Sequence, residues 1–166
     1  MKENLDRINT LIDKLATVKE GTLQLSLEVA IAIGEAPEDA DQPKYGYDDC
    51  TPTYGSKRQR DRDQAESKHF EETGQLLDDS GWQFDSSGYF RDYTQKLDAA
   101  FKLIPDGVGF LMASGPDRAI VDLIENGHLG YPASRWGCQS VAADLKLAIV
   151  MSALKLIRRK IDEQHI

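Results

Sequence analysis

The sequence predicts an α+β fold, an N-terminal helical pair followed by a helix, a three-stranded antiparallel sheet and a closing helix. Three observations predict it. Leu5, Ile8, Ile12 and Leu15 recur at spacings of three and four. Two apolar runs, Val108 to Ala113 and Ala119 to Ile124, flank a Ser114-Gly115-Pro116-Asp117 turn. From about Val141 to Asp162, apolar residues cover most of a helical circumference. A chain of 166 residues makes, most economically, one domain. It divides into a helical pair over 1–34, an acidic insertion or linker over 35–92 and an α-β-β-β-α region over 93–162.

Taken in order, the first helix gains Leu11 and Val18 on its apolar stripe and ends near Gly21, a good C-cap residue. The next segment, TLQLSLEVAIAIG, satisfies two periods at once. Leu23, Leu25, Leu27, Val29, Ile31 and Ile33 alternate as in a strand, while Leu23, Leu27, Ala30 and Ile31 fit one helical face between Thr22 as N-cap and Gly34 as stop. From Glu35 to Gln64, three prolines, two glycines and dense charge predict a long, exposed loop or partly disordered insertion, because few apolar groups are present to offset the ordering entropy. A short helix through Ala65 to Leu77 is expected next. Gly81 and Gly88 then flank Trp82 and Phe84 in a first strand or a packed loop. Thr94 is expected to cap a helix whose apolar face is Leu97, Ala100, Phe101 and Ile104, with Pro105-Asp106-Gly107 ending it. A short third strand is expected at Ser134 to Gly137, with Ser140 capping the closing helix. On that helix Asp144, Lys155, Arg158, Arg159 and Asp162 cluster on one narrow side.

The formal net charge is −8, and Glu35 to Asp92, with 15 acidic and 7 basic side chains, holds the whole excess. That balance excludes a generic nucleic-acid binder, which relies on a basic surface to release counterions. The run KRQRDRD, Lys57 to Asp63, alternates sign and reads as a solvated loop or helix face. The longest strongly apolar run, near Leu145 to Leu156, is interrupted by lysine and too short to cross a bilayer. No basic, apolar leader opens the chain, so the cytosol in which it is made is the expected location. Cys50 and Cys138 make no CxxC spacing and are expected to be reduced and unpaired.

The pattern YTQKLDAAFKLIPDG, followed by two short strands and RWGCQSVAADLKLAIVMSALKLI, resembles a small family of phage and prophage proteins, the phage "ABA sandwich" and NinX-like proteins. The positions that carry it are Tyr93, Thr94, Leu97, Asp98, Ala99, Ala100, Pro105 and Gly107, within a stretch from Tyr93 to Arg159. The resemblance implies helix, three antiparallel strands, helix, with the helices packed on the sheet, and a gene carried by a mobile element. The family's N-terminal part is similar too, a leucine-spaced helix and then a helix ending Ile-Gly, which moves Thr22 to Ile33 to helix against its alternation. The acidic insertion and the loop His128 to Pro132 depart from the family, and no catalytic residue carries over.

Catalytic signatures are missing from the sequence. His69, His128 and His165 form no HxH or HExxH spacing, the serines no GxSxG elbow, and Gly107, Gly109 and Gly115 no phosphate loop. No enzyme activity, cofactor or metal is expected. Asp48 and Asp49 beside Cys50 fall short of the six or more oxygens that calcium takes. The best cluster is ENGHLGYPASRWG, where His128, Tyr131, Arg135 and Trp136 supply aromatic and cationic anchors.

Taken with what the phage-family resemblance implies, these residues lead to the expectation of a non-enzymatic accessory protein that inhibits a bacterial defence system or host factor by occupying it. An acidic face including Asp39, Asp41, Asp48 and Asp49 steers it to a basic partner, possessing a groove that normally holds nucleic acid, and the anchors supply affinity. One alternative is sequestration of a small signalling nucleotide, with Arg135 and Arg118 for phosphate and Trp136 or Tyr131 for the base. Another is a homo-oligomeric scaffold with the Leu5 to Val18 helix as its seam.

Overall fold

Helix α1, Lys2–Thr17, buries Ile8, Leu11, Ile12 and Leu15, the stripe that the sequence spacing marks out. This computed structural model describes residues 2–46, 51–76, 88–124 and 138–164. Helix α2, Leu23–Ala32, follows, and its caps explain why the alternating segment is helical. The Thr22 hydroxyl accepts the Leu25 N–H at 3.1 Å, and Gly34 takes φ +79°, the left-handed conformation that stops a helix. Because Leu25, Leu27, Val29, Ala30 and Ala32 are all buried, the helix has hardly any polar face, and period alone could not identify it.

The expected loop over Glu35–Gln64 is instead largely ordered. Strand β1, Ala40–Tyr45, pairs antiparallel with β2, Pro52–Ser56, and helix α3, Lys57–Thr73, starts directly afterwards. The low apolar content that argued against order is offset by polar ties, including Lys57 N–H to the Asp39 carbonyl at 3.1 Å and Ser56 Oγ to Asp39 Oδ2 at 2.7 Å. Pro43 is tolerated because β1 is the sheet edge and its register shifts between Asp41 and Lys44, where Gln42 has φ +48°. The KRQRDRD run forms the first turns of α3, a longer helix than the one expected at Ala65 to Leu77. Strand β3, Gly88–Tyr89, completes the sheet in the order β1-β2-β3. A Cβ at Gly88 would lie 2.2 Å from the Tyr54 hydroxyl, so any side chain there would have to displace the Tyr54 ring. Trp82 and Phe84 lie outside the described residues.

Helix α4 is only Leu97–Phe101, and Thr94 does not cap it. Lys96 occupies the N-cap without a side-chain hydrogen bond, while Thr94 is buried and bonded to the α2 entry. The buried face is Ala99, Ala100 and Leu103; Phe101 and Ile104 pack at its margin, and Leu97 is 41% exposed. Strands β4, Gly109–Ser114, β5, Ala119–Ile124, and β6, Cys138–Ala142, form an antiparallel sheet in the order β4-β5-β6. Ser134–Gly137, where the third strand was expected, lies outside the described residues. The strand runs through residues expected to open the closing helix, because Cys138, Ser140 and Ala142 are buried in alternation with exposed Gln139 and Val141. Ser140 is therefore a strand residue opposite Val121, and Asp144 caps the helix instead, its Oδ1 accepting the Leu147 N–H at 2.9 Å.

That helix, α5, Leu145–Glu163, is the centre of the molecule. It buries an unbroken run from Leu147 to Leu154, lies across β5 and β6, and packs against α1 and α4. Ser152 Oγ donates to the Val121 carbonyl at 3.0 Å inside this contact. The helical pair and the C-terminal sheet thus share one apolar core, and the α1 stripe is occupied within its own chain. No helix among the described residues is long and apolar enough to cross a membrane.

Candidate binding surfaces

Asp39 and Asp41, expected on a steering face, are both tied into the first sheet. Ser56 donates to Asp39 and holds its carboxyl below the usual range, outweighing the opposing effect of burial. Arg60 grips Asp41 in bidentate fashion, with Nη1 to Oδ1 at 2.5 Å and a second bond from Nη2 to Oδ2, and lowers its pKa. These two acids brace the hairpin against the first turn of α3. His128, Tyr131, Arg135, Trp136, Asp48 and Asp49 lie outside the described residues.

A buried polar network that sequence reasoning missed joins α2, β1 and the segment before α4. Ser26 Oγ donates to Asp92 Oδ1 at 2.7 Å, Tyr45 OH to Asp92 Oδ2 at 2.6 Å, and Thr94 N–H to Ser26 Oγ at 3.0 Å. Thr94 Oγ1 donates to the Thr22 carbonyl at 2.9 Å. The Asp92 carboxylate pushes the Tyr45 hydroxyl up to about 12. Nearby, Glu35 accepts from the Tyr93 hydroxyl and pairs with Arg91 at 3.1 Å. With every one of these groups partnered, the arrangement fastens the chain. Nor do the described residues contain a group of three or more His, Cys, Asp or Glu able to hold a metal ion.

The groove between α1 and α2, about 350 Å³, is bordered by Arg7, Lys14, Glu28 and Glu38, but its charges answer each other. Lys14 pairs with Glu28 at 2.7 Å and Arg7 with Glu38 at 3.3 Å.

The two edges of the C-terminal sheet differ more tellingly. β4 reads GFLMAS, without a charge, and ends the sheet among the described residues. Phe110 and Met112 share the inner face with Leu123 and Val121, yet α5 lies over β5 and β6, so β4 overhangs. Phe101 reaches Phe110 with ring centroids 5.4 Å apart. Even so Phe110, Leu111 and Met112 remain 42%, 54% and 41% exposed. Across from Leu111, Asp122 is buried with Oδ1 lacking a hydrogen-bond partner among the described residues, and burial raises its pKa.

β6, by contrast, is attended. α1 packs beside it, and Lys155 Nζ donates to the Gln139 carbonyl at 2.7 Å. A recess of about 400 Å³ opens there, lined by Cys138, Gln139, Lys155, Arg158, Arg159 and Asp162. Cys138 is buried there. Four of the five charged residues grouped on one side of α5 by sequence thus meet at one place; the fifth, Asp144, caps the helix. Comparison with protein-family models, with curated proteins and with solved structures returns no match.

Proposed function

We propose that this chain is a non-enzymatic binding protein that occupies a basic bacterial host or defence protein, and that β4 is where the partner docks. The observation that supports the reading is the uncharged, apolar edge Gly109–Ser114, which lacks the charges, prolines and bulges by which proteins normally blunt an edge strand. An extended partner segment adds to β4 through backbone hydrogen bonds, and Leu111 on one face and Phe110 and Met112 on the other receive its side chains. The excess of acid, −8 over the chain, favours a basic partner and speeds its approach. The phage or prophage setting rests on the Tyr93 to Arg159 resemblance, and Tyr131, Arg135 and Trp136 remain anchors on sequence grounds.

Affinity capture from a bacterial lysate with the 166-residue chain and its Leu111→Lys variant tests this. The expected result is one or more proteins retained by the wild type, released by added salt and lost with Leu111→Lys, while both chains melt alike. Equal capture by the two chains, or capture by neither, overturns the reading.

A further inference from the structure

We infer that the recess beside β6 binds the phosphate group of a small molecule, a site independent of the β4 edge. Lys155, Arg158 and Arg159 stand at i, i+3 and i+4 on α5, so one helical face delivers three cations to one place. Asp162 is the single carboxylate among the residues that line it. Lys155 spends one donor on the Gln139 carbonyl and keeps two. Arg158 spends Nη1 on Asn9 Oδ1 at 3.1 Å, a neutral partner on α1 that fixes the guanidinium plane. Among the described residues neither Lys155 nor Arg158 has a carboxylate within ion-pair distance, whereas Arg159 Nε is held by Glu163 at 2.6 Å.

In an acidic protein, two oriented cations left uncompensated beside each other are costly. Burial, and then the charge of Arg158, lower the Lys155 pKa, and a bound dianion relieves both. A phosphate group suits the available donors, since a fixed guanidinium fork and a compact ammonium together match its oxygens. The recess, about 400 Å³, takes a small ligand. Asp162 at its rim, with the chain's net charge of −8, disfavours a long polyanion.

Calorimetric titration of the full chain with inorganic pyrophosphate tests the site, with a single-stranded oligonucleotide lacking terminal phosphates as the second probe. Saturable pyrophosphate binding is expected, weakened about tenfold or more in both Lys155→Met and Arg158→Gln, because each removes a charge-assisted hydrogen bond. Asp162→Asn is expected to tighten it by removing the one opposing charge, and Leu111→Lys to leave it unchanged. Absence of binding at millimolar pyrophosphate, or binding that survives both cation substitutions, overturns the inference. Tighter binding of the oligonucleotide than of pyrophosphate overturns the small-ligand assignment.

Discussion

The two sheets of this protein are held by different forces. β1-β2-β3 is fastened by polar side chains, with Asp39 on Ser56, Asp41 on Arg60 and Tyr45 on Asp92. β4-β5-β6 is fastened by apolar burial, with Val121 and Leu123 fully covered in the core that α5 fills. Apolar burial is additive and tolerant of exact geometry, whereas each polar tie depends on one partner in one position. The difference teaches that a strand-poor, charge-rich segment can be ordered, provided that its acids are answered one by one.

The largest effect is expected where the apolar sheet meets α5. Leu154 is fully buried, so Leu154→Ala is expected to cost about 2–5 kcal/mol in urea unfolding. A cost under about half a kcal/mol would mean that the helix is not the keystone. The polar counterpart is Asp92→Ala, which removes the charged acceptor shared by the Ser26 and Tyr45 hydroxyls and is expected to cost about 1–3 kcal/mol. If Asp92→Ala proves harmless, the first sheet is held by something other than this network.

Acid separates the sheets by sign. Asp39 and Asp41 have folded pKa values below 3.8, so the stability they lend is present above the unfolded pKa and lost as pH falls through the folded values. Asp122 runs the other way. Its folded pKa lies above 3.8, so its destabilising charge is absent at low pH and grows as pH rises through the folded value. Asp122→Asn is therefore expected to stabilise the protein at neutral pH by about 1 kcal/mol, with the gain disappearing below pH 3.8. Asp41→Asn is expected to destabilise it at neutral pH by less than about 1 kcal/mol, since the Arg60 pair is only partly buried. Thermal melts of the two variants across pH check both signs.

The smallest stability effect is expected at Leu111. Because this side chain is more than half exposed, Leu111→Lys is expected to change unfolding stability by no more than about 0.5 kcal/mol. Any larger loss would mean that β4 has a packing role that its exposure hides.

Much of the apolar half was legible in the sequence. Val108 to Ala113, the turn at Ser114–Asp117 and Ala119 to Ile124 match β4 and β5 closely, because period and punctuation are local signals. The closing helix, expected from about Val141, starts at Leu145, because Cys138 to Ala142 pairs as a strand. Cys138 to Ala142 is short, and its small residues do not announce an alternation until the sheet decides which side is inside. Thr94 was read as a cap because the cap signature is local, whereas its true partners, Ser26 and Thr22, are some seventy residues away in the chain.

By itself the sequence determined the α1 stripe, the central hairpin and the grouping of charges along α5. Those features rest on spacing of a few residues, which the backbone converts directly into faces and turns. Only the tertiary structure decided that Asp39 and Asp41 are spent on their own hairpin, that β4 overhangs the helix, and that Lys155 and Arg158 meet beside Cys138 without a carboxylate partner among the described residues. Whether a charge is answered or an apolar side chain covered depends on groups brought together from distant parts of the chain, and local periodicity carries no record of them.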